Sequence, residues 1–82
     1  MPDYETAAEQ SALAEAKSQL AKYHAHEASK FVEIADTCAQ EGDLACEAAA
    51  LEAAKNHLAL GTGFAQEAKA AMEAAKAALE EE

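Results

Sequence analysis

Residues 22–31 read KYHAHEASKF, and the placement of this stretch decides the fold. It contains no Gly, Pro, Asn or Asp, so nothing in it favours a turn. Leu13, Leu20, Glu27 and Ile34 stand seven apart across it, and so do Lys17, His24, Phe31 and Cys38. Two interlocked seven-residue series that pass through one segment without a change of phase mark a single helix. A loop there would scramble the phase. The stretch is therefore expected to be the middle of a helix covering about residues 4–41.

Outward from that helix the punctuation is sparse. The lone proline is Pro2, and the glycines are Gly42, Gly61 and Gly63. Asp3 or Thr6 can cap the first helix, and Thr6 with Glu9 has the spacing of a capping box. Glu41-Gly42-Asp43 reads as a turn, with Gly42 just past the helix end and Asp43 as the next N-cap. A second helix is expected over about 44–60. Gly61-Thr62-Gly63 reads as a second turn, with a third helix over about 63–80. The closing Glu80-Glu81-Glu82 sets negative charge on a helix C-terminus, where the macrodipole opposes it, so fraying is expected there.

These lengths are unequal. The first helix would span roughly 55 Å and the others about 25 Å each. A hairpin of helices 2 and 3 would cover only half of helix 1. Two all-α architectures answer this. In the first, helix 1 stays continuous and its uncovered half pairs with another chain, giving a three-helix chain in a dimeric, coiled-coil-like bundle, most simply an antiparallel homo-dimer. In the second, helix 1 breaks near residues 23–28 and the chain is a four-helix up-down monomer. The unbroken phase favours the first.

Composition agrees with helices and warns of a thin core. The 82 residues make a single domain, 1–82, with 25 Ala but only 11 Leu, Ile, Val and Phe. Ala, Glu, Lys, Gln and Leu are the strongest helix formers and fill most positions. Small methyl contacts must replace large side chains, so close packing is expected, with a staple, a partner or a ligand in support. Sixteen acidic residues, six Lys and no Arg give a net charge of −10, which disfavours nucleic acid and anionic membranes as partners. There is no apolar run near 18 residues and no basic-then-apolar leader, so a soluble, cytoplasmic protein is the expectation.

Few residues carry chemistry. His24 and Glu27 sit three apart on the seam side of helix 1, while His26 projects outward. His57 on the returning helix is expected within a turn of both. His24, Glu27 and His57 thus form a candidate two-His, one-carboxylate metal site suited to Zn²⁺, with haem ligation by His24 a weaker variant. The competing and preferred reading is a polar hydrogen-bonding layer that sets register, with no cofactor at all.

Cys38 and Cys46 flank the first turn and could close the hairpin as a disulfide. Helix axes 8–10 Å apart strain that reach, which favours two small buried thiols. Ser11, Ser18 and Ser29 lie away from His24, and no phosphate loop, nucleophile elbow or CxxC pair occurs, so no catalytic residue is assigned. Ala68, Ala71, Ala75 and Ala78 make an Ala-rich face that reads as core or as a groove for a partner helix.

Residues 31–58 resemble the helix-turn-helix of a tetratricopeptide repeat. Phe31, Ile34, Ala35, Gly42, Leu44, Leu51 and Ala54 fall where that family places aromatic, aliphatic and small residues, whereas Glu47 and Cys38 depart from it. The whole chain resembles a de novo designed helical bundle in its Ala/Glu/Lys/Leu filling, its minimal turns and its closing AAKAALEEE. Whether the origin is natural or designed, an assembly or interaction role is expected ahead of an enzyme. The expected function is a non-catalytic, self-associating bundle; the alternative is a metal- or cofactor-binding bundle built on His24, Glu27 and His57.

Overall fold

The computed structural model describes residues 1–81 and consists of two antiparallel helices, α1 (Tyr4–Gln40) and α2 (Leu44–Leu79). They form a hairpin measuring 64 × 12 × 11 Å between its Cα atoms. The α1 helix runs unbroken through residues 22–31, as the seven-residue series requires, so the four-helix form with a break near 23–28 is not adopted. Glu82 of the acidic tail lies outside the described residues; α2 stops at Leu79, capped at Glu80.

The expected third helix is corrected. The α2 helix continues through Gly61-Thr62-Gly63 with no turn. Each glycine inside a helix costs about 1 kcal/mol relative to Ala. Against this, a stop at residue 60 would strip α1 of its partner over half its length. Continuing α2 buries Ala68, Ala71, Ala75 and Ala78 along the N-terminal half of α1. Gly61 has a different role from the one its turn-like context suggested. A Cβ there would lie 3.3 Å from the carbonyl oxygen of Ala21 and 3.5 Å from the Cβ of His24, so the missing methyl lets the helices touch.

Close approach is the rule along the whole seam. The buried positions of α1 are Ala7, Ala14, Ala28, Ala35 and Cys38; those of α2 are Ala50, Ala54, Gly61, Ala68, Ala71, Ala75 and Ala78. They recur at sevens, the repeat that keeps one stripe facing a partner helix. Leu13, Leu20 and Ile34, expected in that seam, instead flank it and stay 40–46% exposed. Small residues took the centre because a two-helix pair with methyl-sized side chains packs without voids, whereas leucines there would hold the backbones apart.

The turn follows its sequence. Gly42 is the only residue at positive φ (76°) among those described. The Gly42 N–H donates to Ala39 O (3.1 Å) and the Asp43 N–H to Cys38 O (2.9 Å), which satisfies the last carbonyls of α1. Asp43 caps α2 by accepting from the Cys46 N–H at 3.0 Å. At the other end Asp3 caps α1, accepting from the Thr6 N–H (3.0 Å) and the Thr6 hydroxyl (2.7 Å). The Asp3 N–H also donates to Ala78 O at 2.9 Å, tying the open end of the hairpin shut.

Cys38 and Cys46 are joined as a disulfide with Cα atoms 5.7 Å apart, and the structure holds no free thiol. The expectation of two buried thiols took the ordinary spacing of helix axes. Here both cysteines lie beside the three-residue turn between Gln40 and Leu44, where the chain reverses and brings their Cα atoms within reach of a disulfide.

Candidate functional site

Halfway along the hairpin His24 of α1 meets His57 of α2. Their Nδ1 atoms are 2.9 Å apart and their ring centroids 5.1 Å apart, with planes 29° from parallel. The two separations differ by about the two ring radii, so both nitrogens lie near the line joining the ring centres. The rings meet edge to edge in an N–H···N hydrogen bond. One imidazole must carry its proton on Nδ1 while the other presents a bare Nδ1. Both positions are half-buried, where an imidazole without a partner would be costly.

Two phenyl rings flank the pair. Phe31 lies 5.6 Å from His57 with planes 13° apart, and Phe64 lies 5.6 Å from His24 with planes 11° apart. Tyr23 and His24 form a T-shaped pair with ring centroids 5.1 Å apart. Phe31, His57, His24 and Phe64 therefore form a row contributed alternately by the two helices. The row ends at Lys17, whose Nζ sits 5.2 Å from the Phe64 centroid and 2.9 Å from the Glu67 carboxylate. With Glu67 more than half exposed, that ion pair adds little stability.

Of the three candidate metal ligands, His24 and His57 are brought together. The Glu27 carboxylate is 3.7 Å from Lys30 Nζ, one turn along its own helix. An ion about 2.0–2.1 Å from both Nδ1 atoms, which are 2.9 Å apart, would be held at an N–Zn–N angle of about 90°, tighter than a tetrahedral site takes. Among the described residues no group of three His, Cys, Asp or Glu side chains converges in a way that could hold a metal. The hydrogen bond of this pair joins the two helices. It fixes their register, because sliding α2 by one turn would separate the two nitrogens. His26 is exposed, as its phase requires.

Two long apolar faces run along the hairpin. On one, Ser18, Ala25 and Val32 of α1 lie alongside Leu58, Ala65 and Met72 of α2, and an open groove of about 630 Å³ runs between Ser18, Ala65 and Met72. The same seven-residue row of α2 contains Leu44, Leu51 and Leu79, and its four leucines and Met72 are 49–74% exposed. The other face carries Leu13, Leu20, Ile34 and Leu60, also exposed. The signal was present in the sevens of Leu44, Leu51 and Leu58, but the supposed turn at Gly61 ended the count before Met72 and Leu79.

No helix among the described residues is long and apolar enough to cross a membrane. No protein-family model, curated protein or solved structure matches the chain.

Proposed function

We propose that this chain is a non-catalytic building block whose helical hairpin self-associates, serving assembly or partner binding. The observation that carries the reading is a surplus of surface. The hairpin exposes 5676 Å². A compact monomer of 8.6 kDa exposes about 4,700 Å². The surplus of about 1,000 Å² is close to the roughly 800 Å² that each partner buries in an ordinary protein interface.

The composition of that surface supports the same reading. Every large apolar side chain is at least partly exposed and none is fully buried, so the hairpin is one layer of a structure that needs two. The imidazole pair serves this role by holding the two helices in one register, which keeps the exposed rows aligned. Light scattering on the eluting peak in size-exclusion chromatography tests the proposal. The expected mass is a multiple of 8.6 kDa at micromolar concentration. A strict monomer across that range overturns it.

A further inference from the structure

Resting on the self-association just proposed, we infer that the occupant of the Leu58/Met72 face is a second copy of this chain. The two copies are related by a two-fold axis along the hairpin, with both turns at the same end. Charge selects the face's partner and its direction. Lys22, Lys69 and Lys76 rim the groove with one carboxylate, Glu73, among them, and Lys55 continues the lysine line on α2, so four of the six lysines border one face of a chain with net charge −10. Neither of the two ion pairs among the described residues uses any of them. Across the same groove α1 presents Glu15, which is in no ion pair either.

Direction follows from levels. Within the hairpin Lys17 stands level with Glu67, so Glu15 stands level with Lys69, on opposite rims. A two-fold axis along the hairpin preserves levels and lays α1 of one copy on α2 of the other. Glu15 then meets Lys69 of the second copy twice, once on each side, and no two lysines meet. Shape agrees at two of the three large side chains that face α1, because Leu58 of one copy is opposite Ala25 of the other and Met72 is opposite Ser11, while Leu51 meets Val32 in apolar contact. Leu58 and Met72 thus enter spaces beside small side chains.

The reverse arrangement, with turns at opposite ends, fails on both counts. The midpoint of α1 (Tyr4–Gln40) is Lys22, which would face its own copy. The midpoint of α2 (Leu44–Leu79) falls between Gly61 and Thr62, which would bring Lys55 onto Lys69 and Leu51 onto Met72. Like charges that face each other in an interface oppose the pairing.

The test mixes ¹⁴N- and ¹⁵N-labelled full chains, joins touching carboxylates and amines with a zero-length carbodiimide, and reads the linked peptides by mass. Glu15–Lys69 links between differently labelled chains are the expected result. Lys22–Lys22 links with a short amine-to-amine reagent overturn the orientation. Leu58→Glu is expected to raise the dissociation constant about 100-fold or more, because it places a carboxylate in an apolar interface. Leu20→Glu, on the opposite face, is expected to leave it unchanged, with helicity by circular dichroism checking that both variants fold. If Leu20→Glu dissociates the assembly and Leu58→Glu does not, the face assignment falls while self-association stands. A monomeric wild type removes both.

Discussion

Replacing the glycines one at a time with Ala separates a continuous α2 from a chain with a turn at 61–63. At Gly63 an added Cβ meets nothing within 4 Å and the backbone is helical. The substitution then keeps only the gain in helix propensity, about 0.5–1 kcal/mol. For a domain of this size that corresponds to a rise in Tm of about 2–8 °C. At Gly61 the same gain is opposed by contact at 3.3 Å with the Ala21 carbonyl, a backbone atom that cannot rotate away. Overpacking of this kind costs about 1–3 kcal/mol, so Gly61→Ala is expected to be neutral to about 2 kcal/mol less stable. At Gly42, with φ 76°, an L side chain costs about 1–2 kcal/mol, and the variant is destabilised. Thermal melts followed by circular dichroism at one fixed chain concentration read all three, since the Tm of any self-associating chain depends on its concentration. The expected order is Gly63→Ala above wild type, then Gly61→Ala, with Gly42→Ala below wild type. A Gly63→Ala chain no more stable than wild type would refute a helix through that position.

Three further outcomes follow from the ties that hold the hairpin. Removing the disulfide, whose cysteines are eight residues apart, by Cys38→Ala/Cys46→Ala together should lower stability by about 2.5 kcal/mol on the loop-entropy account; a variant that melts with the wild type would show that the link adds nothing. Long-range ¹H–¹⁵N spectra of the imidazoles at neutral pH should show His24 and His57 as opposite tautomers, one protonated at Nδ1 and the other at Nε2. Both rings protonated at Nε2 would exclude the hydrogen bond. The Asp3 carboxyl should titrate below its ordinary 3.8, because the Thr6 N–H and then the Thr6 hydroxyl donate to its charged form, against a smaller opposing effect of burial. A folded-state value below the unfolded one means that the cap's stabilisation is complete above the ordinary value and is lost as pH falls through the lower one. A carboxyl ¹³C titration reads the midpoint, and a value at or above 3.8 would contradict the cap.

What the sequence determined by itself was local and periodic. The unbroken α1, the Glu41-Gly42-Asp43 turn and the cap at Asp43 follow from rules that act within a few residues, and the meeting of His24 with His57 follows from the register those fix. Tertiary structure decided what depends on two helices at once. Gly61 reads as a turn residue in one dimension and becomes a contact point only when Ala21 lies against it. Leucine and isoleucine outrank alanine on any hydrophobicity scale, yet Ala14, Ala28 and Ala35 took the seam, because a pair of helices gains most when methyl-sized side chains let the backbones close up. The larger side chains were left at the flanks, and Glu27, in phase with them, joined Lys30 and not the imidazoles. Phase assigns each residue a direction on its own helix. Only packing fixes how near the other helix comes, and that distance set which residues became core, which formed the site and which stayed exposed.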